Sequence, residues 1–96
     1  MQSKSIYKAG KLIKISLDYN SDQINKINID GDFFLYPEEG RENLENALAG
    51  TRLEKTELIK KIESIIADKK IEVHGFSPEQ LSEAILLAVQ NSGKGL

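Results

Sequence analysis

The side chains with chemistry to offer are few, and most of them fail on spacing. Asp18-Tyr19-Asn20-Ser21-Asp22 begins like a calcium-binding loop, with oxygen ligands at alternate positions. Such a loop needs glycine at its sixth position for a sharp turn and a bidentate glutamate at its twelfth. Those positions hold Gln23 and Ile29, so the segment reads as a hairpin turn. Asp30 and Asp32 have the types of an acid–base carboxylate pair, but across a tight turn they diverge toward solvent. His74 is the single histidine of a chain without cysteine. A lone imidazole makes neither a metal site nor a base with an orienting partner, and His74 reads as a loop residue ahead of the last helix. Gly93-Lys94-Gly95 lacks the rest of a phosphate-binding loop and the helix that must follow it. Lys60-Lys61 and Lys69-Lys70 are short and interleaved with acids, as on a solvated helix face and its C-terminal charge complement. No nucleophile–base pair assembles from this set.

The elements that must position these residues follow from periodicity. Ile13, Ile15, Leu17 and Tyr19 share one face against Lys14, Ser16 and Asp18, which predicts a half-buried strand. Asn20-Ser21-Asp22 is turn chemistry. Ile27 and Ile29 alternate with Lys26, Asn28 and Asp30 as a second strand, and Asp30-Gly31 is a favoured two-residue hairpin turn. Phe33 to Tyr36 then makes a third strand, stopped by Pro37, and the three form an antiparallel meander. Alternation places one of Phe33 and Phe34 in the core and leaves the other free; the pattern leaves open which.

Past Pro37 the period becomes helical. Leu44, Ala47 and Leu48 mark a helix over residues 38–49, with Gly50 as its C-cap. A second helix over residues 56–68 carries Leu58, Ile59, Ile62, Ile65 and Ile66 on one face. Ile71 and Val73 alternate across a connector that leaves room for a short extra strand. The last helix has the strongest local signal: Ser77 at the N-cap, Pro78 at N1, Gln80 completing a capping box, and Phe76 with Leu81 as a hydrophobic staple. Leu81, Ala84, Ile85 and Ala88 form its core face, and Leu86, Leu87 and Val89 widen the apolar arc beyond what one contact surface needs. Residues 1–6 and 91–96 read as flexible ends of a single domain spanning 1–96.

The bulk numbers narrow the function classes. Of 96 residues, 40% are hydrophobic and 29% charged, the balance of a globular chain. A chain this short buries only roughly 60–65% of its unfolded surface, so its core is modest. Thirteen basic against fifteen acidic residues give a net charge of −2, without the basic surplus of a nucleic-acid binder. The absence of cysteine excludes disulfides, thiolate zinc sites and cysteine-held clusters. With no membrane-spanning apolar run and no secretory signal, the expected location is cytoplasmic.

Four segments in order then carry a resemblance: Tyr7-Lys8-Ala9-Gly10-Lys11-Leu12-Ile13, Ile29-Asp30-Gly31-Asp32-Phe33-Phe34, Leu44-Glu45-Asn46-Ala47-Leu48-Ala49-Gly50 and Phe76-Ser77-Pro78-Glu79-Gln80-Leu81. Over roughly Tyr7 to Val89 the chain resembles the C-terminal accessory domain of lipoate–protein ligases. The resemblance implies an α+β fold: a three-stranded antiparallel meander followed by about three helices on one face, similar to iron–sulphur scaffold proteins. Those scaffolds hold their cluster with cysteines, so here it implies architecture without cluster binding.

In that family a large domain makes lipoyl-adenylate from lipoate and ATP and acylates a lysine of lipoyl-domain acceptor proteins. The small domain packs on it, sometimes as a separate polypeptide. A chain that begins at Met1 and holds only the small domain is expected to be that separate, non-catalytic subunit of a heterodimer. ATP, Mg and lipoate are then expected on the catalytic partner, with no cofactor or metal bound by this chain alone, no nucleic acid and no membrane. Candidate partner contacts are Asp30, Gly31, Asp32, Phe33, Phe34 and Tyr36. The alternative is a stand-alone protein-binding module of the scaffold fold.

Overall fold

The computed structural model describes residues 1–94. Alternating side chains set the main sheet. Strands β1 (Gln2–Lys8), β2 (Leu12–Asn20) and β3 (Gln23–Gly31) pair antiparallel in the order β1-β2-β3. Ile13, Ile15, Leu17, Tyr19, Ile24, Ile27 and Ile29 are buried on the inner face, and Lys4, Lys8, Lys14, Lys26 and Asn28 lie exposed on the other. Helices α1 (Glu39–Leu48), α2 (Lys55–Asp68) and α3 (Pro78–Lys94) form the second layer. Helix α1 packs on β3, α3 packs on β1 and β2, and α2 lies against both helices. A two-stranded ribbon, β4 (Phe34–Tyr36) with β5 (Glu72–His74), completes the fold. The architecture is the expected α+β class, with three antiparallel strands and three helices.

The composition of the meander differs from the expectation. Its first member is β1, formed by residues expected to be loose. Their inward side chains are small and polar: Ser5 is buried because its hydroxyl donates to the Ala84 carbonyl of α3 at 2.8 Å. The segment Tyr7 to Ile13 therefore holds the end of β1, the turn over residues 9–11 and the start of β2. Residues 33–36 leave the meander, and Phe34–Tyr36 pair with β5, the short strand for which Ile71 and Val73 left room.

Asp30-Gly31 is not a hairpin turn. It ends β3, with Gly31 paired to Ile13 and Asp32 donating its amide to the Leu12 carbonyl at 3.0 Å. Glycine is needed there for close approach: Gly31 has φ +142, and an added Cβ would lie 2.0 Å from the Leu12 oxygen. Asn20-Ser21-Asp22 does form the β2–β3 turn, with Ser21 at φ 50.

The helix ends follow their signals. Gly50 follows α1 with φ +86. At α3, the Ser77 amide donates to Gln80 Oε1 at 2.9 Å and the Gln80 amide donates to Ser77 Oγ at 3.1 Å, a complete capping box. Phe76 and Leu81, the staple pair, are both buried. Helix α3 runs on through Asn91 to Lys94, where a flexible tail was expected. Asn91 Nδ2 donates to the Lys4 carbonyl at 3.0 Å, which ties the last turns to β1. Residues 95–96 of that expected tail lie outside the described residues.

The sheet edges are treated unequally. At β3, the Ile24 amide donates to the Thr51 carbonyl at 3.0 Å and its carbonyl accepts from the Gly50 amide at 2.7 Å. The Ile29 amide donates to Glu45 Oε2 of α1 at 2.7 Å. These bonds close part of the β3 edge, against which α1 also packs, and so leave less of it open to another strand. Among the described residues the β1 edge has less cover, with the Lys4 carbonyl accepting from Asn91.

Candidate partner interface

The β4–β5 ribbon sorts the aromatic residues by strand geometry. Successive side chains point to opposite faces, so Leu35 is buried while Phe34 and Tyr36 share the outer face at 57% and 61% exposure. Phe33, just before the strand, turns inward and meets Phe76 edge to face, with ring centroids 5.0 Å apart at 89°. Phe34 is therefore the free aromatic of the pair, and Phe33 belongs to the frame beneath it.

Across the ribbon, Phe34 pairs with His74 and Tyr36 with Glu72. The Phe34 and His74 rings stand 6.1 Å apart, tilted by 34°. His74 is thus a strand residue beside an exposed aromatic, not the loop residue expected. The ribbon is held by Gly75, at φ +124, whose added Cβ would lie 2.9 Å from the Phe33 Cβ and 2.9 Å from the Lys11 side chain. The Lys11 amide donates to the Gly75 carbonyl at 3.1 Å, which fastens the ribbon to the β1–β2 turn.

Beside the aromatics runs an open groove of about 490 Å³ lined by Phe33, Phe34, Leu35, Glu38, Glu39, Arg41 and Glu42. Glutamates in the first turn suit the positive end of the α1 dipole, yet three glutamates against one arginine leave the groove acidic. Arg41 is itself engaged, with its guanidinium 3.5 Å from Asp30 Oδ1.

The predicted contact residues separate accordingly. Asp30, Asp32, Phe34 and Tyr36 are exposed; Gly31 and Phe33 are half-buried and act as frame. Asp30 Oδ1 also accepts the Gly31 amide at 2.9 Å, so this carboxylate is engaged with Gly31 and Arg41. Glu72 and His74 were missed, because only the long-range β4–β5 pairing brings them to this face. Among the described residues no three His, Asp or Glu side chains converge as metal ligands would.

A second polar cluster lies on α3. The Tyr7 hydroxyl donates to Glu83, whose other oxygen stands 3.5 Å from Lys55 Nζ. The Tyr7 hydrogen bond holds the Glu83 carboxyl below its ordinary pKa, with Lys55 adding to the effect against desolvation. The same hydrogen bond raises the Tyr7 phenol. This cluster joins β1, α2 and α3 and lies away from the groove.

The α+β domain thus carries two exposed aromatics, Phe34 and Tyr36, beside an acidic groove. Residues 1–85 match the family described as bacterial lipoate protein ligase C-terminus, and the chain belongs to that family. It is 37% identical over 89 residues to lipoate-protein ligase A subunit 2 of Thermoplasma acidophilum, covering 88% of this chain and 87% of that protein. It is also similar to a chain solved in a structural analysis of an archaeal lipoylation system from Thermoplasma acidophilum, a bi-partite lipoate protein ligase and its E2 lipoyl domain. There the TM-score is 0.67 at 34% identity, with 88% of this chain and 93% of that chain covered.

Proposed function

We propose that this chain is the non-catalytic subunit of a two-component lipoate–protein ligase, supporting ATP-dependent lipoate adenylation and protein lipoylation by a separate catalytic subunit. The observation that carries this reading is the near full-length match to a relative that is itself a ligase subunit of similar extent. Lipoyl-domain proteins are then indirect partners, as acceptors of the catalytic subunit's product.

The chain acts by binding one conformation of the catalytic subunit better than another. A difference of about 1.4 kcal/mol shifts such an equilibrium tenfold. Phe34 and Tyr36 are the anchors, with His74 and Glu72 beside them. Because Phe33 and Leu35 are packed beneath, the backbone that carries the two rings is fixed before docking, which limits the entropy lost on association. Asp30, Asp32, Glu38, Glu39 and Glu42 give the face its charge, which calls for a basic surface on the catalytic subunit.

ATP, Mg and lipoate belong to the catalytic subunit in this reading, since neither a glycine-rich phosphate loop nor a catalytic lysine segment of the large-domain type stands in this sequence. We assign the complex to the cytoplasm, a reducing compartment that suits a chain without cysteine. No helix among the described residues is long and apolar enough to cross a membrane.

The test is to mix the chain with a catalytic lipoate–protein ligase subunit that lacks this domain and to follow both by size-exclusion chromatography. The reading requires co-elution with one copy of each; separate elution at micromolar concentrations would overturn it.

A further inference from the structure

The less covered edge, that of β1, has a second feature beside it. In an antiparallel ladder the backbone groups of alternate residues point to the same side. The Met1 carbonyl accepts the Tyr19 amide at 2.8 Å, so odd-numbered residues of this segment face β2. The Lys4 carbonyl accepts from Asn91, so even-numbered residues face outward. Among the described residues, the outward backbone groups of Ile6 and Lys8 have no protein partner.

Ile6 is also 66% exposed, an apolar side chain on the solvent face of an edge strand. Helix α3 runs alongside: Glu83 meets Tyr7 and Asn91 meets Lys4. Residues 83, 87 and 91 share one helix face, so half-buried Leu87 lies along β1 between those two contacts. Of the wider apolar arc of α3, Leu86 and Val89 pack against the core, and Leu87 is left to border the open edge.

Charge narrows the occupant. Lys4 and Lys8 flank Ile6 on its own strand, and Lys14 lies directly across from it. None of the three makes an ion pair with a described residue. Lysines on an edge discourage copies of one chain from pairing with each other. The same lysines favour an incoming strand that carries carboxylates.

We propose that the β1 edge, with Ile6 and Leu87 beside it, receives an extended partner-protein segment that presents an acid, an apolar residue and a second acid at every other position, on one face. The segment adds as a fourth strand, hydrogen-bonding to Ile6 and Lys8, with an apolar residue opposite Ile6 and acids opposite Lys4 and Lys8. This surface is separate from the aromatic face and independent of the lipoylation reading.

The test uses amide chemical shifts of the full chain titrated with a capped synthetic peptide, Thr-Glu-Leu-Val-Thr-Glu-Thr, and with its counterpart bearing lysine for glutamate. The acidic peptide should shift Ile6, Lys8 and Leu87 and slow exchange of the Ile6 and Lys8 amides; the lysine peptide should not. Ile6→Pro removes an outward amide that the β1–β2 ladder does not use, and should weaken binding at least about tenfold. Should that variant not fold, Lys4→Glu with Lys8→Glu should reverse the preference between the peptides. Shifts confined to Phe34 and Tyr36, equal response to both peptides, or no response at millimolar peptide would overturn the proposal. So would concentration-dependent shifts at Ile6 without peptide, which would assign the edge to a second copy.

Discussion

A Cβ built on Gly31 would lie 2.0 Å from the Leu12 carbonyl oxygen, so the end of β3 closes on β2 only because residue 31 has no side chain. That contact turns the chain out of the main sheet and sends residues 32–36 to the ribbon that carries Phe34 and Tyr36. Gly31→Ala must open this contact and also hold alanine at φ +142. We expect it to cost on the order of 2–4 kcal/mol, a fall in Tm of roughly 10 °C or more, read by thermal unfolding.

Phe34 and Phe33 should respond oppositely to truncation. Phe34→Ala and Tyr36→Ala remove exposed rings, so stability should stay within about 0.5 kcal/mol of the parent. Affinity for the catalytic subunit should fall by about 2 kcal/mol, roughly thirtyfold, as for a central aromatic anchor. Phe33→Ala breaks the edge-to-face packing on Phe76 and should lower stability instead, by about 2 kcal/mol or more. Calorimetric titration beside thermal unfolding separates the two effects.

The acidic groove should make docking salt-dependent. Association with a basic surface should slow about tenfold or more as ionic strength rises through the physiological range. Glu38→Gln combined with Glu42→Gln should flatten that dependence while leaving dissociation largely unchanged, in stopped-flow measurements.

Glu83 sets a pH dependence whose sign is fixed. Its folded pKa is lowered, chiefly by the Tyr7 hydroxyl and secondarily by Lys55. A depressed carboxyl stabilises the fold above its unfolded pKa, and that contribution disappears as pH falls through the folded value. Stability should therefore decline below about pH 4.3, and Tyr7→Phe should weaken the part due to Glu83. Tyr7, with its phenol raised, contributes fully below its unfolded pKa and loses that contribution as pH rises through the folded one. Denaturant midpoints across pH for the parent, Glu83→Gln and Tyr7→Phe check both limbs.

Helix α3 shows what a sequence states outright. Ser77, Gln80, Phe76 and Leu81 are local partners within one turn, so their types alone declare the cap, and Ser77→Ala should cost about 1 kcal/mol. Strand β1 shows the opposite. Its inward residues include Ser5, whose burial depends on the Ala84 carbonyl far along the chain, and its apolar Ile6 faces outward. Periodicity reads that pattern as a loose end. The Asp30-Gly31 pair was legible as a backbone requirement but not as its cause, since close approach to Leu12 and a type I′ turn both select glycine. At the candidate interface, Phe34 and Tyr36 follow from alternation within one strand. Glu72 and His74 join them only through a pairing with α1 and α2 in between, which no local pattern encodes.

The most direct test of the central claim is lipoate-dependent exchange of pyrophosphate into ATP by the catalytic subunit, measured with and without this chain. Exchange that rises on adding the parent chain, and that Phe34→Ala supports only at much higher concentration, is the predicted result. Equal exchange rates in the presence and absence of the chain would contradict it.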